Sequence, residues 1–198
     1  MTDAPERPCI VISGNGRCGT SMMMQMLAAA GVPCLGRYPD FEDTDFAMST
    51  FRPDRMAAAH DCALKILDPG VMKIPRLPHH VAIWMSRDPK QQTLSVAKLL
   101  YLYGVVTDRS TRRRLERDIR TSKPLHLGAF RDMPLGEVAF ERILADPIGA
   151  ATKLCAFLGR HGWPGLSPEK MAAVVVRRGP ECLEGMLEFD LLEERGAA

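Results

Sequence analysis

The chain predicts an α/β fold with a parallel sheet covered by helices on both faces. Three observations carry that expectation. Short apolar runs at 9–13, 62–67 and 81–86 have the length and composition of buried strands. Segments with helical spacing of apolar residues, at 21–30, 89–104 and 147–159, alternate with them. The first apolar run breaks into a glycine-rich turn that opens directly into a helical pattern. Strand, glycine-rich loop and helix in that order make the expected sheet P-loop-type, because backbone N–H groups and the positive end of a helix dipole converge on one place.

The elements follow in order. Cys9 to Ile12 is the apolar centre of the first strand, and Gly31 closes the helix after it. Val32-Pro33-Cys34-Leu35 reads as a short strand. Residues 36–52 are polar and irregular, and carry Asp40, Glu42, Asp43 and Asp45. They are either a solvated loop or a lid over an acceptor. Arg55 to His60 is expected to be helical. Cys62 to Leu67 is a strand that Asp68-Pro69-Gly70 turns. After the strand at 81–86, Asp88 is a good N-cap and Pro89 suits the first helical position. A basic helix is expected over 109–122, with Arg109, Arg112, Arg113, Arg114, Arg117 and Arg120. A strand near 137–143, a Pro/Gly-rich link and a helix over 168–177 complete the chain. With 198 residues and no repeats, residues 1–198 are expected to form one domain.

The first loop, Gly14-Asn15-Gly16-Arg17-Cys18-Gly19-Thr20-Ser21, is the first candidate site. Gly14 and Gly19 are spaced as in G-x-x-x-x-G-K-[ST], but Thr20 stands where a nucleotide-hydrolysing loop has its lysine. The positive charge is moved into the loop, at Arg17. That departure speaks against an ordinary ATPase. Cys18 lies at a helix N-terminus beside Arg17, a setting expected to lower a thiol's pKa.

This loop resembles the 5′-phosphosulfate loop of the sulfotransferases that use PAPS (3′-phosphoadenosine-5′-phosphosulfate), whose usual form is (K/R)-S-G-T-(T/S). Arg17 matches the basic position, Gly19, Thr20 and Ser21 match the rest, and Cys18 replaces a serine. The family holds the 3′-phosphate with an arginine at a strand end and a serine eight residues later. Arg87 and Ser95 have that spacing, and an arginine fork with a hydroxyl is a sound phosphate pair. Residues 135–159 resemble the family's late strand, its E-x-x-L-x-D-P turn and its next helix. Arg177-Arg178-Gly179 resembles a third, C-terminal phosphate contact, or is simply the basic end of a helix. The resemblance implies PAPS as co-substrate, no metal, and a binding set of Gly14, Gly16, Arg17, Cys18, Gly19, Thr20, Ser21, Arg87, Ser95, Arg177 and Arg178.

The family's catalytic base is commonly a histidine in a K-T-H arrangement. Here Lys65 matches the lysine and Leu67 takes the histidine's position. Asp68, one residue on, is the best substitute, or a turn residue only; His60, His79 and His80 are the other candidates. The expected catalytic pair is Arg17, stabilising the leaving phosphate, and Asp68. A kinase-like phosphotransferase with an altered loop, and a silent PAP- or PAPS-binding module, are the alternatives.

Composition narrows the partners. A net charge of +2 gives no global case for nucleic acid or an anionic membrane. No apolar run reaches the roughly 20 residues of a membrane span, and no signal-peptide pattern opens the chain. Six scattered cysteines without C-x-x-C fit a reducing compartment. A cytoplasmic enzyme acting on a small-molecule or glycan acceptor is the resulting expectation.

Overall fold

The computed structural model describes residues 6–176. In chain order its elements are β1 (Ile10–Gly14), α1 (Thr20–Ala29), α2 (Pro53–Ala57), β2 (Ala63–Leu67), β3 (Val81–Ser86), α3 (Pro89–Leu102), α4 (Arg109–Gly128), β4 (Leu135–Ala139), α5 (Phe140–Ala145), α6 (Pro147–Arg160) and α7 (Pro168–Ala173). Single 3-10 turns lie at Thr44–Phe46 and Pro69–Val71. The strands pair in the order β2-β1-β3-β4, all parallel. The expected α/β sheet with helices on both faces is therefore present.

Side-chain alternation along the strands makes two cores. Ile10, Ile12, Val81, Ile83 and Met85 face one way and pack with Met23 and Leu27 of α1, Leu154 and Leu158 of α6, and Met171 of α7. Cys9, Val11, Leu64, Ile66, Ala82 and Trp84 face the other way, onto Phe46, Met56, Phe130 and Met133. Covering both faces is why these strands read as nearly continuous apolar runs.

Register then sets the functional rim. Gly14 lies opposite Leu67, Ser13 opposite Trp84, and Ser86 opposite Ala139. The carboxyl ends of all four strands are nearly level. The segments that leave them, the glycine-rich loop, Asp68, Arg87 and Phe140, emerge side by side, where open α/β sheets bind ligands.

Four expectations need correction. The late strand is not 137–143: it ends at Ala139, level with Ser86, and Phe140–Ala145 is a helix that buries Ile143. The basic helix does not stop at 122 but runs to Gly128 through Pro124. An internal proline costs about 3 kcal/mol, and the packing of the last turn onto residues 69–71 offsets that cost. The helix expected over 55–60 lies at Pro53–Ala57, started by Pro53 at its first position. Val32–Leu35 contributes only one parallel bridge, Cys34 to Ala63, on the outer edge of β2.

Ile83 is fully buried in the centre of the sheet. Ile83→Ala is expected to lower stability by about 2–5 kcal/mol, whereas Arg113→Ala on the exposed face of α4 should stay within about 0.5 kcal/mol of wild type. Urea unfolding monitored by circular dichroism measures both.

Candidate functional site

The glycine-rich loop is shaped by steric exclusion. A Cβ on Gly14 would lie 2.3 Å from Cys18 Sγ and 2.6 Å from the Met85 carbonyl oxygen. Gly19 has φ of 101°, and a Cβ there would lie 2.4 Å from the Phe140 ring. Arg17 itself is left-handed at φ 69°. From α3, the Gln92 side chain, 2% exposed, donates its Nε2 to the Asn15 and Gly16 carbonyls at 3.2 and 2.8 Å. The Asn15 amide donates to Ser122 Oγ of α4 at 2.9 Å. With these carbonyls held from behind, the loop has the form of a phosphate cradle. Gly19 precedes α1 without a side-chain cap of its own, and the Thr20 N–H at the start of the helix is taken by the Cys18 sulfur.

The three side chains expected at two phosphates converge. Arg17 Nε donates to Ser95 Oγ at 3.2 Å, and Arg87 Nη1 donates to the Arg17 carbonyl at 3.1 Å. The Arg87 guanidinium also lies 4.6 Å from the centre of the Phe140 ring. Asp88 caps α3 by accepting from the Gln91 N–H at 2.9 Å, which places Ser95 on the helix beside the loop. Thr20 is buried and Ser21 half-buried at the start of α1. Ser21 Oγ accepts from Lys65 Nζ at 3.3 Å.

Lys65, 5% exposed, also holds the acidic segment. It donates to the Asp40 carbonyl and lies 3.4 Å from Glu42 Oε1. The loop at 36–52 is thus pinned to the sheet at the edge of the site.

Asp68 follows β2 in the left-handed conformation, φ 50° and ψ 51°, which aspartate tolerates better than most residues. Burial raises its carboxyl above the ordinary carboxylate range. Nearby His126 and the Gly16 backbone pull it back in part. His126 was not foreseen. It comes from the last turn of α4, is 5% exposed, and places Nε2 4.0 Å from Asp68 Oδ1. Its Nδ1 accepts the Gly70 N–H at 2.8 Å, and its ring stacks on Trp84 at 5.8 Å between centroids. The only sequence signal was a histidine flanked by leucines near the end of an arginine-rich helix, which gave no indication of its partners.

The other histidines lie elsewhere. His60 precedes β2, bridging Pro8 near the start of β1, and pairs with Asp61 at 3.0 Å. His79 and His80 precede β3, and buried His80 Nε2 contacts the Met56 carbonyl at 3.0 Å. All three belong to the rim opposite the loop. Cys18 also departs from expectation. It is 1% exposed, and burial outweighs the helix N-terminus, pushing its thiol up to about 12. Arg177 and Arg178 lie outside the described residues.

Among the described residues, no group of three or more His, Cys, Asp or Glu side chains is placed to hold a metal ion. No described helix is long and apolar enough to cross a membrane.

A parallel sheet with a glycine-rich loop at its carboxyl rim defines a P-loop-like α/β architecture. Its solved likenesses define it more narrowly. Mouse sulfotransferase SULT7A1, solved with PAP, superposes with a TM-score of 0.53 at 15% identity, over 84% of this chain and 62% of the mouse chain. Sulfotransferase STF9 from Mycobacterium avium gives 0.53 at 16% identity, over 87% of this chain and 68% of the other. The sulfotransferase domain from the curacin biosynthetic pathway gives 0.52 at 13% identity, over 92% and 86%. The chain has a sulfotransferase-like fold, and spans less than two thirds of the length of the mouse enzyme. No protein-family model matches the chain, and no curated protein matches it by sequence.

Gln92→Leu removes both donors that hold the loop carbonyls. It is expected to destabilise the protein by about 0.5–1.5 kcal/mol through two lost hydrogen bonds to half-buried carbonyls, read as a lower urea midpoint.

Proposed function

We propose that this chain is a PAPS-dependent sulfotransferase acting on a small-molecule or glycan acceptor in the cytoplasm. One observation carries the reading. On a sulfotransferase-like fold, the glycine-rich loop, Arg87 and Ser95 meet in a single hydrogen-bonded chain. The residues fit the group they would hold. The loop has no room for side chains at Gly14 or Gly19, and Gln92 draws its carbonyls backward. Arg17, Cys18, Thr20, Ser21 and the N–H groups of Gly14, Gly16 and Gly19 would hold the 5′-phosphosulfate. Arg87 and Ser95 would hold the 3′-phosphate. PAP bound to the mouse sulfotransferase supports the choice of nucleotide.

When bound, PAPS supplies the sulfuryl group. The transfer forms an acceptor O–S bond and breaks the S–O bond to the 5′-phosphate, leaving that electron pair on the phosphate oxygen. Arg17 and the loop N–H groups stabilise the charge that develops there, the type of donor whose loss costs most in rate. Asp68 takes the proton of the acceptor hydroxyl. Its raised pKa brings it closer to neutrality and makes it a better general base.

Isothermal titration separates this reading from a kinase-like one. PAP is expected to bind in the micromolar range, about −8 kcal/mol, and nucleotides lacking a 3′-phosphate much more weakly. Arg87→Ala should remove most of that difference. Equal affinity for PAP and ADP would sink the assignment. Arg17→Ala should slow transfer by about 10²–10³-fold with an unchanged melting temperature. Because no acceptor is identified, 4-nitrophenol is the first probe, followed by small alcohols and glycosides. PAP binding without turnover on any of them would favour a silent binding module.

A further inference from the structure

Three features outside the phosphate contacts are candidates for a further role: the paired thiols of Cys9 and Cys62, the apolar groove along edge strand β4, and the His126–Asp68 pair. The thiols lie 3.8 Å apart within the sheet, toward the rim away from the loop. The groove encloses about 450 Å³ beside Arg142, Lys153 and Phe157, with nothing to define what covers it. The His126–Asp68 pair carries the most chemistry.

We propose that His126 is a positioning residue for Asp68, with its Nε2–H directed at the carboxylate and its Nδ1 committed to the backbone. The proposal rests on the transferase reading above for the use of that carboxylate. The hydrogen-bond inventory dictates the tautomer. A backbone N–H can only donate, so Nδ1, which receives the Gly70 N–H at 2.8 Å, carries no proton. The neutral ring must then bear its proton on Nε2, the nitrogen facing Asp68 Oδ1. The Nδ1 lone pair is thereby taken and Nε2 carries the proton. Neutral His126 has no lone pair left to accept a proton from an acceptor hydroxyl, so Asp68, not the histidine, is the base.

Packing fixes the ring in this orientation. Trp84 stacks on it with 22° between the planes. Gly70 lies so close that a Cβ there would be 2.8 Å from Nδ1 and 2.7 Å from Leu125 Cγ. The 4.0 Å to Asp68 is longer than a formed hydrogen bond. Catalytic hydrogen bonds in unliganded sites are often long and tighten on substrate binding.

The electrostatic sign follows. Burial lowers the pKa of His126 and raises that of Asp68, and attraction between imidazolium and carboxylate opposes both shifts; in the neutral ring the Nε2–H dipole aimed at the carboxylate acts on Asp68 with the same sign. From the loop, the Gly16 backbone also lowers Asp68, and Asp68 in turn raises the nearby Cys18 thiol, which Arg87 opposes. Removing the imidazole should therefore move Asp68 upward, and with it the acid limb of the rate profile.

The deciding measurements need no acceptor. Long-range ¹H–¹⁵N spectra of the full chain are expected to show His126 protonated on Nε2 and bare on Nδ1. In His126→Gln, ¹³C titration of the Asp68 carboxyl should shift to higher pH by about half a unit or more. PAP affinity should stay within twofold of wild type. The acid limb of kcat/KM with PAPS and 4-nitrophenol should move in the same direction as the carboxyl. A proton on Nδ1 in the wild type, or an unmoved Asp68 titration in folded His126→Gln, overturns the assignment. Should His126→Gln fail to fold, the wild-type tautomer still decides it. Failure of the wild type to bind PAP would overturn the transferase reading instead, leaving the spectra to judge the His126–Asp68 pair independently.

Discussion

The contact on which the site depends is the Gln92 amide against the Asn15 and Gly16 carbonyls. A loop with left-handed Arg17 and Gly19 can point its peptide groups in several directions. A buried donor behind it selects one. Carbonyls withdrawn from water need a partner, so these half-buried carbonyls are kept toward α3. Asn15 adds a second tie, to Ser122 of α4. The glycine-rich loop is thus held by α3 and α4, which follow β3 in the chain.

The same two helices deliver the remaining groups. Helix α3 carries Gln92 and Ser95 close together, so one element both shapes the loop and supplies a hydroxyl to Arg17. Helix α4 carries Ser122 and His126 on successive turns, touching the loop with one and the Asp68 turn with the other. Its arginine-rich outer face is solvated, while its inner face bears the contacts that matter to the site. A proline within the helix is tolerated because those contacts hold its last turn.

Electrostatics at the site are decided by burial more than by formal charge. Cys18 lies at a helix N-terminus beside arginines, yet desolvation keeps its thiol protonated. Asp68 is raised for the same reason, and its neighbours offset the shift only in part. Lys65 remains buried because Ser21, Asp40 and Glu42 surround its ammonium group, which also secures the acidic segment.

The sequence alone determined the sheet, the glycine-rich loop and the α3 N-cap at Asp88, and it singled out Arg87 and Ser95, which the structure links through Arg17. Each depends on residues within a few positions of one another: apolar runs, glycine spacing, a capping aspartate, or one strand end and its following helix. It misplaced the late strand, because Phe140–Ala145 is equally apolar as strand or helix and only the level of Ser86 ends β4 at Ala139. It ended α4 too early, at residue 122, whereas the helix continues through Pro124, whose cost is offset by distant packing. It expected a lowered thiol pKa at Cys18, because local charge is visible in a sequence and burial is not. It looked for histidines near β2 and β3, whereas the imidazole at Asp68 arrives from α4. Tertiary structure alone decided these points, because burial and the meeting of distant helices depend on how the whole sheet is covered.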